Sequence, residues 1–164
     1  MSELDRTVGR ALTLVAALVI GAQPAAAQQF IDTEASVGGV ATAVGPAAGL
    51  YLEASRAVLR TTSVVGELQV FQSSATEFVA LGGVRQQLFR SSKGDLYAQL
   101  LFGVATGYSR RCDLCHARAT EFGLGANVVM NERWAVRVRA DVRLGGSAAD
   151  LLYPMLGAGI TRRW

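Results

Sequence analysis

Arg133-Trp134-Ala135-Val136-Arg137-Val138-Arg139-Ala140-Asp141-Val142-Arg143-Leu144 alternates without a break. Trp134, Val136, Val138, Ala140, Val142 and Leu144 share one face. Arg133, Ala135, Arg137, Arg139, Asp141 and Arg143 share the other, so the period is two and the stretch is a β-strand. About twelve alternating residues exceed the five or six usual in a globular sheet and suit a tilted strand crossing a bilayer. One face of this strand needs apolar surroundings and the other needs polar ones, so the fold turns on which face points inward.

Seven further stretches alternate in the same way: 33–43, 49–58, 62–71, 77–89, 96–108, 120–130 and 151–164. Turn signals separate them at Gly45-Pro46, Arg60-Thr61, Ser73-Ser74, Ser91-Ser92-Lys93-Gly94-Asp95, Asn131-Glu132 and Gly145-Gly146-Ser147. Helical periodicity is missing, and no repeat or linker divides the chain. Eight antiparallel strands are expected, an even number that leaves both ends on one side.

The start of the chain predicts its compartment. Ala11 to Ala22 is an apolar run too short to span as a helix, followed by Gln23, Pro24 and Ala25-Ala26-Ala27. This reads as a secretory signal over residues 1–27, cleaved after Ala27, with a single domain over 28–164. The net charge of +3 is almost all arginine, because Lys93 is the only lysine. These arginines are scattered at alternate strand positions instead of clustered on one patch, which argues against a nucleic-acid partner. Beyond the signal no apolar run approaches the length of a membrane-spanning helix, so any membrane form must be a closed barrel.

Alternation alone does not separate a membrane barrel from a soluble one. The polar faces decide it, since Glu53, Glu67, Glu77, Glu121 and Asp141 stand against Arg85, Arg137, Arg139 and Arg143. Opposite charges on neighbouring strands pair inside a narrow lumen, and eight strands leave just enough width for side chains. Glycines share that face, with Gly66 the exception. Turning the strand inside out would put each arginine in lipid, at about 2–4 kcal/mol apiece near the midplane. The expected lumen network is therefore Glu53, Glu67, Arg85, Glu121, Arg137, Arg139, Asp141 and Arg143, read as a self-satisfying plug in preference to a gated pore. Phe78, Phe102, Phe122, Trp134 and Trp164 are expected on the lipid face, with Trp134 and Trp164 at the interface.

Four segments carry a resemblance: Leu81-Gly82-Gly83-Val84-Arg85, Tyr97-Ala98-Gln99-Leu100-Leu101-Phe102-Gly103, Asn131-Glu132-Arg133-Trp134-Ala135-Val136-Arg137 and Leu156-Gly157-Ala158-Gly159-Ile160. Together, over residues 77–164, they resemble the small outer-membrane β-barrel family of the OmpA type. The resemblance implies an eight-stranded up-and-down transmembrane barrel in a Gram-negative outer membrane, in contact with lipid and lipopolysaccharide. It also implies a C-terminal strand read by the barrel-assembly machinery. Arg162 departs from the family, where an aromatic or aliphatic residue is usual two before the end.

Cys112-Asp113-Leu114-Cys115-His116 is the one motif with possible chemistry, expected in an outward loop over residues 110–118. C-x-x-C-H is the c-type haem attachment pattern, but two long flanking strands supply nothing to enclose a haem. Zinc would be short of ligands. A Cys112–Cys115 disulfide in an oxidising compartment is the expected state, without metal or cofactor. A catalytic reading would use His116 as a base near Ser109 and Glu121 on an acyl ester, as in a lipid-modifying barrel enzyme. The expected function is non-catalytic: a structural, adhesive or surface-interaction barrel with a filled lumen. The competing class is a soluble periplasmic lipocalin-like barrel with an apolar ligand.

Overall fold

The computed structural model describes residues 33–43, 47–72, 76–109, 112–145 and 152–164, with the side chains of 108–116 set aside. The expected signal segment lies outside these residues. Eight strands follow in chain order: β1 (Thr33–Thr42), β2 (Ala48–Ala57), β3 (Thr62–Gln72), β4 (Thr76–Ser91), β5 (Gly94–Ser109), β6 (Cys112–Val129), β7 (Trp134–Gly145) and β8 (Leu152–Arg163). Each pairs antiparallel with the next, and β8 closes on β1 to form a complete barrel. Closure pairs every strand on both sides, which is what a sheet in lipid requires. β7 is about 40 Å of strand, which at the usual tilt covers about 30 Å of bilayer.

The turns at the end that carries Thr33 and Trp164 are short and locally determined. Leu59 N–H donates to Thr62 O at 3.1 Å between β2 and β3. The Asn131 side-chain oxygen accepts from the backbone N–H of Arg133 and of Trp134, both at 2.9 Å, an Asx turn that sets where β7 begins. At the opposite end β7 stops on Gly145, whose φ of 84° suits glycine and whose absent Cβ would strike the Arg118 carbonyl.

Three boundaries differ from the sequence-based expectation. β5 begins at Gly94, so Asp95, expected in a turn, is buried inside the barrel. A bulge leaves Leu88 without a partner between Gln87 and Phe89, so Leu88 and Phe89 both face out. The expected loop over 110–118 is mostly strand: β6 starts at Cys112, and Ala117 and His116 pair with Ala105 and Thr106. Turn-forming Gly94 and the mixed Cys-Asp-Leu-Cys segment hide their strand membership, which comes from the ladder to a long partner.

Inside and outside are assigned by burial. On β7, Val138 is 47% exposed while Arg137 and Arg139 are 0% and 3%. The exposed side carries Leu50, Leu52, Leu68, Phe78, Phe102, Phe122, Leu124, Val138, Leu156 and Ile160. Gly39 and Gly82, as well as Gly66, face outward, so glycine is less confined to the lumen than expected. The interior glycines make room for large side chains: a Cβ on Gly125 would overlap the Tyr97 hydroxyl, and one on Gly159 the Tyr51 hydroxyl. The interior is also less uniformly polar than the alternation suggests. Val40, Phe71, Val79, Leu81, Ala105, Ala119 and Met155 form an apolar cluster, largely in the half away from the chain ends.

Candidate functional site

The lumen holds two tiers of ion pairs, and β7 contributes to both. In the tier nearer the chain ends, Arg137 is fully buried. Its Nη1 pairs with Glu53, its Nη2 donates to Glu34 at 2.9 Å and its Nε donates to Asn127 at 2.8 Å. Arg85 reaches the other Glu53 oxygen and donates to Gln99 at 2.7 Å. Arg163 pairs with Asp95, and its Nε lies 3.1 Å from Glu34. Asn127 also donates to Asp95, at 2.7 Å.

The second tier centres on Arg139. Its Nη1 donates to Glu67 at 2.8 Å, its Nη2 to Glu121 at 2.6 Å, and its Nε pairs with Asp141. Arg143 donates to Glu121 at 2.9 Å and to Gln69, which in turn donates to Glu121 at 3.2 Å. The tiers meet where Arg139 Nη1 lies 3.8 Å from Glu53. Aromatic faces fill the remaining space: the Arg85 guanidinium lies 4.2 Å from the Tyr97 ring centre, Arg139 4.8 Å from Tyr51 and Arg143 4.9 Å from Phe71.

The structure thus brings all eight expected lumen residues into one cavity: Glu53, Glu67, Arg85, Glu121, Arg137, Arg139, Asp141 and Arg143. Glu77, also expected on that face, is only half-buried near a strand end. Sequence reading missed Glu34, Asp95 and Arg163. Glu34 sits in the weakly patterned β1 and Asp95 in a presumed turn. Arg163 was legible in principle, because it alternates with the outward Trp164.

Register explains why cross-lumen contacts are needed. Glu121 and Arg143 are direct partners on β6 and β7, so neighbouring strands already match charge there. Glu53 and Glu67, however, are direct partners on β2 and β3, two carboxylates side by side. Among the described residues only Arg139, reaching over from β7, lies within ion-pair distance of both. A cavity of about 50 Å³ lies beside Glu34, Arg85, Asp95 and Tyr97, room for a few waters.

Cys112, Cys115 and His116 lie at the start of β6, with side chains outside the described set. Glu121 is enclosed and committed to Arg139 and Arg143, which removes it from the acid–base group imagined with His116 and Ser109. Trp134 and Trp164 are 40% and 58% exposed on the outer wall at the end carrying the termini. A soluble barrel for an apolar ligand requires the opposite polarity, so the lipocalin-like alternative does not fit this interior.

No protein-family model and no curated protein sequence matches the chain. Solved structures do match in fold. The N-terminal β-barrel domain of Pseudomonas aeruginosa OprF superposes with a TM-score of 0.64 at 11% identity, over 84% of this chain and all (100%) of that one. Neisserial surface protein A gives 0.61 at 8% identity, over 80% and 95%. Ail, the attachment invasion locus protein of Yersinia pestis, gives 0.54 at 13% identity, over 83% and 100%. Ail has also been solved in a phospholipid bilayer nanodisc and with the heparin analogue sucrose octasulfate. The fold of this chain is therefore that of the small outer-membrane barrels: closed, eight-stranded, antiparallel and apolar on its outer wall.

Proposed function

We propose that the protein is an outer-membrane barrel that works as a lipid-embedded structural or surface-interaction element, without catalysis or transport. The observation that supports this most is the pairing of an apolar outer wall with a lumen packed with ion-paired charges. Such a barrel offers the cell its two rims and its outer wall. Among the described residues the last β6–β7 pair at the outward rim is Ala119 with Gly145, and residues 112–118 of β6 extend beyond it in pairing with β5. Among the described residues, this extension is the part best placed to meet a partner outside the cell. The wall would contact phospholipid and lipopolysaccharide, and the C-terminal strand would engage the barrel-assembly machinery. Outer-membrane fractionation tests this reading: the protein should co-sediment with outer membranes, and its unboiled form should migrate differently from its boiled form on a gel. Recovery of the folded protein in osmotic-shock fluid would refute it.

A further inference from the structure

Among the described residues, the strands turn only three charged side chains outward, and all are arginines at strand ends: Arg56 on β2, Arg118 on β6 and Arg162 on β8. Two of them flank β1 at the rim that carries the termini. Arg56 stands opposite Thr33, and Arg162 stands opposite Ala35. On its other side Arg162 is the direct partner of Trp134.

The surroundings of Arg162 are unlike those of the lumen arginines. Its guanidinium carbon lies 5.7 Å from the Trp134 ring centre and 5.0 Å from that of Trp164. The two indoles hold the cation by their faces but give its N–H groups nothing to donate to. No described carboxylate lies within ion-pair distance of Arg162, whereas Arg85, Arg137, Arg139, Arg143 and Arg163 all have one. Arg163, the next residue, turns into the lumen towards Asp95, and Glu132 and Arg133 are exposed in the adjoining β6–β7 turn.

Depth decides what completes it. Ile160, Val136 and Val138, on the same wall one or two outward positions further in, are exposed apolar residues that require acyl chains. Arg162 therefore sits where hydrocarbon gives way to headgroups, the level at which tryptophan girdles form and an arginine is tolerated. The acceptors at that level are phosphate oxygens, which the planar guanidinium fork matches two at a time.

We propose that Arg162, clasped between Trp134 and Trp164, binds the phosphate of an anionic glycerophospholipid in the leaflet at this rim, with Arg56 across β1 as a second cation. The lipid's chains lie along Ile160 and Val136. The departure of Arg162 from the expected aromatic or aliphatic residue is then a gain of a headgroup site. This proposal rests on the bilayer reading above.

Trp134 and Trp164 are the only tryptophans in the chain, so intrinsic fluorescence reports on this site alone. The protein is folded into phosphatidylcholine vesicles containing a small fraction of either phosphatidylglycerol or phosphatidylcholine brominated on its acyl chains, and quenching is compared. Brominated phosphatidylglycerol should quench as though it associated about fivefold more strongly. Arg162→Leu should bring the two lipids to parity while keeping the folded gel mobility, Arg162→Lys should keep part of the preference, and Arg56→Ala should reduce it. Equal quenching in the unaltered protein, or a full preference in Arg162→Leu, would overturn the site. Loss of the preference on adding millimolar inorganic phosphate would overturn the lipid as ligand in favour of a soluble anion. A chain that never acquires folded mobility sinks the bilayer reading and the site with it, whereas a folded chain without headgroup preference sinks the site alone.

Discussion

Glu53 shows what one carboxylate does inside this barrel. It accepts from Arg85 and Arg137, with Arg139 nearby, and is among the most buried residues of the chain. A buried pair contributes little net stability compared with an apolar filling, yet losing one partner strands a charge in the interior. Glu53→Gln should therefore destabilise the barrel by about 3–5 kcal/mol in urea unfolding followed by tryptophan fluorescence. Adding Arg137→Met should recover part of that loss, and an additive or larger loss would show that the pair is not coupled. Tyr97 illustrates a second kind of constraint. Its ring occupies the space above Gly125, so the alternation of glycine and charge along β6 is a packing pattern as much as an electrostatic one.

Strand ends carry the remaining chemistry, and the first residues of β6 are the clearest case. Cys112 pairs with Ser109 and Cys115 with Gly107, so three steps on β6 face two on β5. An unbroken strand would separate the two cysteine Cα atoms by about 10 Å, beyond the reach of a disulfide at roughly 7 Å. The register shifts by one residue here, and we propose that this irregularity lets the Cys112–Cys115 bridge expected from the sequence form. Intact mass of the exported protein should show loss of the two thiol hydrogens, reversible by reductant. A fully reduced mass, or a mass increased by haem, would count against the bridge. β4 has its own bulge at Leu88, and there the consequence is a change of face: Arg90 pairs in register with the inward Asp95 at the rim where the lumen opens.

Among the described residues, the lumen of the barrel is occupied by side chains along its length. Ion pairs run from Arg163 and Asp95 near the termini to Arg143 and Glu121 towards the other end, and there the apolar residues pack among them, Met155 as the direct partner of Asp141 and Phe71 beneath the Arg143 guanidinium. Opening a conducting path would require several guanidinium–carboxylate contacts to break together, each leaving groups unpaired in a narrow lumen. Planar-bilayer recording should show no steady conductance of porin size, and a stable open level would contradict the plug. The likeness to OprF, neisserial surface protein A and Ail extends over four-fifths of the chain or more at 8–13% identity. At that identity what is shared is alternation, strand number and closure, the properties a bilayer imposes on any small barrel.

The run from Trp134 to Leu144 carried the fold in its alternation, because a side-chain period of two together with the cost of arginine in lipid leaves one orientation open. Strand count, the lumen membership of Arg137, Arg139, Asp141 and Arg143, and the outward tryptophans are local consequences of that rule and could be read directly. Partner choice could not. Arg137 and Glu53 are 84 residues apart, and their meeting depends on the register and stagger of the closed barrel, which no short window encodes. The strand identity of Cys112 to Ala119 and of Gly94-Asp95 likewise came from pairing with β5 or its neighbours, overriding turn-like local composition. The juxtaposition of Arg162 with both tryptophans arose from closure as well, since β7 and β8 had to meet in register before a lone arginine near the end of the chain acquired its aromatic clasp.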